Sequence, residues 1–412
     1  MKNLIKLFSA AMVAGFVFAS CEGPAGPQGQ KGADGTNGTN GVDANETCKL
    51  CHNQSVVEDK VLEFGHSIHA VGTAYEEGTR TACAPCHSHQ GYRYVVANNT
   101  PVTFVADPNN PGKFLNNYQV NAATTALPTT LSCFTCHDSL HTKYTFSDFF
   151  PLTTTAAVPM TMWGGTKTLN FAQNSSNLCA KCHQPRPVTN SAGNVIDYSL
   201  LVSAPSSNYT LSSVSYRSGI HYGAQAAMFG GKGGIEFGTG YTNSAHTASA
   251  SCADCHMATP TGLSGGHSFS AYDEYGANVN FNGCNTTACH NGNMSKTNTN
   301  FVNYTSKTIS TGIAYKLTQL AAKLNALGGG HDILQKDALT GEYNGYLDIY
   351  DASSNPTGWF KNPANGTPAF PTLTNAQFGA VINFQLVLRG GGIGVHNYPY
   401  MSKLLDDTMT AW

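Results

Sequence analysis

"SCADCHMATPTGLSGGHSF", residues 251–269, holds two cysteines two residues apart, with a histidine directly after the second. The same C-x-x-C-H form recurs as "CKLCH" at 48–52, "CAPCH" at 83–87, "CFTCH" at 133–137 and "CAKCH" at 179–183. It is the attachment signature of c-type haem. The two thiols reach the two vinyl groups on one porphyrin edge, and the following His lies under the iron as an axial ligand. Paired CxxC motifs also bind zinc or form redox dithiols. Neither use requires a His after every second Cys, and a disulfide framework does not require it either.

A sixth pair is less regular. In "GCNTTACHNG", residues 283–292, four residues separate Cys284 from Cys289, and His290 follows. The wider spacing must bulge if both sulfurs are to reach one porphyrin. A Cys284–Cys289 disulfide is the competing reading. The chain has 13 cysteines, and once Cys21 is set aside every one has a partner. The expectation is therefore six covalently bound haems c, five at CxxCH sites and one at a Cx4CH site. The attaching residues are Cys48, Cys51, Cys83, Cys86, Cys133, Cys136, Cys179, Cys182, Cys252, Cys255, Cys284 and Cys289. The proximal ligands are His52, His87, His137, His183, His256 and His290.

The chain has 15 His in 412 residues. Beyond the six proximal ones stand His66, His69, His89, His141, His221, His246, His267, His331 and His396. Six irons held by two His each need six of these nine. His66 and His69 are i, i+3 neighbours on one helix face. His141 lies one turn beyond His137, so it would serve a haem other than its own. His89 sits too close to its own attachment site to reach around that ring, and is a weaker candidate for a neighbouring haem or a supporting group. His331, in "LGGGHDIL", reads as structural or exposed.

The N-terminus, "MKNLIKLFSAAMVAGFVFASC", has Lys2 and Lys6, then an apolar run, then small residues: a secretory signal over 1–20, too short to span a membrane comfortably. Its end resembles a bacterial lipobox, which implies lipidation at Cys21. Residues 23–41 carry Gly at every third position. That period fits a collagen triple helix or a flexible spacer; with Pro in only two triplets, the spacer is favoured, giving a tether over 21–44. No other segment is apolar enough to cross a bilayer. Only 11% of residues are charged and the formal charge is −2, so nothing points to nucleic acid.

Residues 221–269 contain His221, then "SAHT" with His246, then "CADCHM", then "GGH" with His267. This order resembles a segment of bacterial multihaem c-type cytochromes. "GVHNYPYMSKLLDD", with His396, is similar to a second such segment, although Tyr398 separates Asn397 from Pro399 where His-Asn-Pro is usual. The resemblance implies that His221, His246, His267 and His396 are distal ligands. With His69 and His141 they complete the expected set.

The expected fold is mainly α with much irregular loop and little β, a multihaem cytochrome organised around stacked haems. Residues 45–292 form the haem region. A haem-free helical section, 293–412, packs on it. Irregular intervals between motifs exclude a tandem repeat. The composition suggests a small aliphatic core, with haem faces replacing it and the chain largely unfolded without them. In the last section, Ile313, Leu317, Leu320, Leu324 and Leu327 form a helical stripe with Gly328 as its stop. A second helix has Asn375 as N-cap and Gly390 beyond its end. Segments 94–130 and 186–215 read as surface loops or β-ribbons.

The expected function is electron transfer from haem to haem at the bacterial envelope or surface, with no catalytic residue. Partners would be other redox proteins, an extracellular acceptor, the membrane through the lipid, and further copies in a filament. The location is the outer membrane or cell surface. An alternative is a multihaem reductase of a nitrogen or sulfur oxyanion, which needs one open iron. A structural or adhesive role leaves the haems unexplained.

Overall fold

Helix-forming charged residues are scarce, and most helices here are a turn or two long. The computed structural model describes residues 53–79, 83–98, 104–106, 114–116, 129–138, 152–189, 194–209, 214–272 and 278–412. Cys21, the whole 48–52 motif and His141 lie outside these. Packing divides the chain into Met1–Val56 and Val57–Trp412; the description below concerns the second unit.

The longer helices are α1 (Gln54–Gly65), α2 (His89–Ala97), α3 (Ile313–Asn325), α4 (Asn375–Arg389) and α5 (Tyr398–Thr410). Strands occur only as small antiparallel ribbons among the described residues. Phe104–Ala106 (β1) pairs with Phe114–Asn116 (β2), Val158–Pro159 (β3) with Thr168–Leu169 (β4), and Leu334–Lys336 (β5) with Tyr343–Leu347 (β6). The molecule is thus mainly helical with little strand, as expected. Among the described residues no helix is long and apolar enough to cross a membrane.

Helix α4 is the centre of the core. Almost every side chain along it is buried, the pattern of a helix enclosed on all sides. Its N-cap is Thr374, one residue before the expected Asn375. The Thr374 hydroxyl accepts from the Gln377 N–H at 3.3 Å, and the Gln377 side chain accepts from the Thr374 N–H at 2.8 Å. This reciprocal pair makes a capping box. Asn375 instead donates to the carbonyls of Leu200 and Ala204. Gly390 ends the helix as expected.

Helix α3 buries Ile313, Leu317, Leu320 and Leu324 as the stripe requires. The left-handed residue that stops it is Gly329, one place after the expected Gly328. Residues 186–215 are not all loop: Asp197 caps a short helix, Tyr198–Ser203, which buries Tyr198 and Leu201.

The aliphatic core is larger than the composition suggests. One continuous cluster joins Val158, Met160, Leu169, Ile220, Met228 and Ile235 to the buried faces of α3, α4 and α5. Gly and Ala allow this by close approach, as where Ala224, Ala227 and Ala380 are fully buried. Polar side chains of α4 then hold the loops around it. The Asn383 amide accepts from the Ile235 N–H at 2.8 Å and donates to the Ile235 carbonyl at 2.8 Å. The Gln385 side chain accepts from the Ile220 N–H at 2.7 Å and donates to the Ser218 and Gly345 carbonyls. Arg389 donates to the carbonyl of Ile220. Segment 218–235, flanking His221, is therefore hung on one helix. Leu320 is fully buried between α3 and this core. Leu320→Ala is expected to destabilise the protein by about 2–5 kcal/mol, the range for emptying a well-packed leucine site, measured by denaturant unfolding.

Candidate functional site

The described CxxCH motifs share one local closure. The His87 N–H donates to the Cys83 carbonyl at 3.0 Å, His137 to Cys133 at 2.9 Å and His183 to Cys179 at 2.9 Å. This is a single helical turn, and it brings both thiols and the imidazole to one side. At 251–256 a capping box starts the turn: the Ser251 hydroxyl accepts from the Asp254 N–H at 3.1 Å, and the Asp254 carboxylate from the Ser251 N–H at 2.7 Å.

The sixth motif keeps the closure with more residues inside it. The His290 N–H donates to the Cys284 carbonyl at 3.0 Å, and the Cys289 N–H to the Thr286 carbonyl at 3.1 Å. The additional residues form a side turn. Cys284 and Cys289 are not joined in a disulfide, nor are the other described cysteines.

Each described proximal imidazole faces one of the expected distal ones. His87 faces His221 with ring centroids 6.0 Å apart, and His137 faces His267 at 6.3 Å. His183 faces His69 at 5.9 Å, His256 faces His396 at 6.2 Å, and His290 faces His246 at 5.9 Å. Two imidazoles bound to opposite sides of one metal, with metal–nitrogen bonds of about 2.0–2.1 Å, have centroids about 6 Å apart. Five ring pairs thus have the separation that one bridging iron needs. Among the described residues no three His, Cys, Asp or Glu side chains gather as a polydentate metal cluster would require.

In five of these ten histidines the nitrogen that would face away from such a metal is already hydrogen-bonded. Nδ1 of His221 lies 2.7 Å from the Tyr222 carbonyl, that of His246 3.2 Å from Val395, that of His256 2.9 Å from Phe269 and that of His396 3.1 Å from Gly390. A carbonyl only accepts, so each Nδ1 carries the proton and Nε2 presents its lone pair. His183 uses the Gln225 amide oxygen at 3.1 Å. His267 has the Glu63 carboxylate 3.6 Å from Nδ1, and its backbone N–H donates to the same carboxylate at 2.8 Å. Burial, followed by His183, pushes His69 down to about 4. Burial also lowers His221 and His396 to about 4, with Arg186 and His256 as the next causes. All three imidazoles are neutral near pH 7, the form that binds metal.

The motifs also adjoin one another. Cys86 Sγ lies 3.8 Å from the Lys181 carbonyl, and Cys182 Sγ 3.8 Å from the Pro85 carbonyl, so motifs 83–87 and 179–183 cross reciprocally. The Cys252 N–H donates to Ser176 in the turn that leads to Cys179. Cys255 lies against Cys284.

The remaining described histidines stand apart from the five pairs. His66 is exposed. Nδ1 of His89 lies 2.8 Å from the Thr135 hydroxyl, against the 133–137 motif. His331 stacks on Trp359 with centroids 3.5 Å apart, in keeping with a structural reading. Asn397 emerges as a clamp. Its amide accepts from the Ser244 N–H at 2.9 Å and donates to the Phe229 carbonyl at 3.1 Å and to the Asn243 side chain at 2.9 Å. It ties the loop of His396 to that of His246. Tyr398 stacks on Tyr304, and Pro399 sits in the first turn of α5, so the inserted Tyr shifts the Pro into the helix.

Residues 30–195 match the family model described as outer membrane cytochrome MtrC/MtrF-like, domains II/IV. The matched stretch contains the first four attachment motifs. The match covers less than half of the chain and likens this stretch to outer membrane cytochromes. No curated protein matches the chain. Among solved structures, the outer cell wall cytochrome OcwA aligns with a TM-score of 0.42 and 18% identity, over 85% of this chain and 50% of that one. The chain spans about half the length of that cytochrome.

Sequence reading did not find Glu63, Gln225, Phe269 or the clamping role of Asn397. Glu63 and Gln225 are ordinary polar residues far in sequence from the His they support, and only the fold brings them together. Asn397→Ala would strand the Ser244 N–H, while the Phe229 carbonyl keeps the Thr247 hydroxyl at 2.7 Å. It is expected to cost about 1–3 kcal/mol, the range for one buried group left unpaired, read from a denaturant transition.

Proposed function

We propose that the chain is a hexahaem c-type cytochrome that passes electrons from haem to haem at the bacterial envelope or surface. The observation that carries this reading is the five imidazole pairs, each joining an attachment-motif His to a separate His at 5.9–6.3 Å. Cys83, Cys86, Cys133, Cys136, Cys179, Cys182, Cys252, Cys255, Cys284 and Cys289 would hold five of the haems. Cys48, Cys51 and His52 would hold the sixth. Five of the six expected distal His have partners among the described residues.

Haem supplies reversible one-electron chemistry, and the chain supplies ligation, spacing and burial. The contacts linking motifs 83–87, 179–183, 252–256 and 284–290 favour a continuous run of close redox sites. Two protein ligands at an iron leave no room for substrate. The reductase alternative is thereby confined to the 48–52 site. Lipid at Cys21 and the Gly-rich tether would hold the unit at the outer membrane, within reach of another cytochrome or an extracellular acceptor. Filament formation is a further arrangement that the same sites would serve.

Two measurements test this. Intact mass of the mature holoprotein should show six haems and a lipidated Cys21; five haems would return the 284–290 pair to the disulfide reading. Electron paramagnetic resonance of the oxidised protein should show wholly low-spin iron. His396→Ala should convert about one haem in six to high spin, as loss of one axial ligand requires. A strong high-spin signal in the unaltered protein would instead favour an enzyme.

A further inference from the structure

Phe269 touches ligands of three of the proposed haem sites. Its ring stands edge-on to His69 at 5.1 Å and to His267 at 5.7 Å, within the range of favourable aromatic contacts. These imidazoles belong to the pairs with His183 and His137. Phe64 closes over the ring from α1 at 6.4 Å. The backbone carbonyl of Phe269 serves a third pair, accepting the Nδ1 proton of His256 at 2.9 Å.

The residue holds this position in a strained conformation. Phe269 has φ 58 and ψ 9, the left-handed region, which a bulky L-residue adopts rarely. Glycine meets that backbone without strain. The three preceding residues form a 3-10 turn, Gly266–Ser268, which the Phe269 N–H closes onto Gly266. That turn aims the carbonyl at His256 while the ring points between His69 and His267. Retention of an aromatic ring where the backbone favours glycine indicates a use for the ring.

We infer that Phe269 is a positioning residue shared by three ligand pairs. Its ring shields two distal imidazoles from water, and its carbonyl fixes the tautomer of a proximal one. The inference rests on the ligand assignments proposed above. It implies that one side chain sets the reduction midpoints of two haems, while the backbone of the same residue sets that of a third.

Two substitutions separate ring from backbone in the full-length holoprotein, with haem content verified by mass. Phe269→Gly removes the ring but suits the left-handed backbone. By spectroelectrochemistry, two haem midpoints should fall, because water then favours the ferric state, and the others should stay. Phe269→Val removes the ring and also resists the left-handed backbone, so a third midpoint should move. Phe269→Tyr keeps both features and should reproduce the unaltered profile. Identical profiles for Phe269→Gly and the unaltered protein would overturn the inference, as would the same shifts in Gly and Val variants. If the Val variant fails to take up haem, the Gly variant decides alone: two shifted haems support the inference, and none or all refute it. If the unaltered protein lacks low-spin haem, the functional reading fails first. Low-spin haem with an indifferent Gly variant removes only the role of Phe269.

Discussion

The hydrogen bond from a ring nitrogen to a backbone carbonyl is the constraint on which the site depends. An imidazole has two chemically similar nitrogens, and without a fixed acceptor either can carry the proton. At His221, His246, His256 and His396 a carbonyl takes Nδ1–H, and Nε2 is left as the donor to a metal. Those carbonyls are themselves held. Gly390 follows the last turn of α4, Val395 lies in the loop clamped by Asn397, and Phe269 ends a tight turn. The apolar packing of α3, α4 and α5 thus acts on the paired histidines through the backbone.

The chemistry was far more legible in the sequence than the scaffold was. Attachment motifs are local, and their geometry follows from a turn of five residues. Distal candidates could be named because few other ionisable residues compete for the role, and because two segments resembled known cytochromes. Their partners could not be read, since which distal His meets which motif depends on contacts between residues as far apart as His69 and His183. The capping of α4 shifted by one residue for a similar reason. Thr374 and Asn375 are both good N-caps, and the decision fell to Asn375 being drawn to the carbonyls of Leu200 and Ala204.

The core was underestimated because composition does not register close packing by small residues. Ala and Gly contribute little apolar area individually, yet they let α4 and segment 218–235 approach closely enough for Asn383 and Gln385 to bond loop backbone directly. Many of the buried large aliphatic side chains lie beyond residue 312, past the last cysteine, Cys289. The chain is divided accordingly: the proposed attachment motifs lie in the earlier part, and the later part is an apolar body that also presents His396.

That division has a consequence for biogenesis. Covalent attachment at a CxxCH turn needs only local residues. His221, by contrast, rests against a segment bonded to α4, and His246 and His396 are tied together by Asn397, just before α5. In synthesis from the N-terminus, the motifs at 83–87, 133–137 and 252–256 emerge before His221, His267 and His396, the histidines they face. Completion of the proposed His256–His396 pair would then be a late event, timed by the arrival of the C-terminal section.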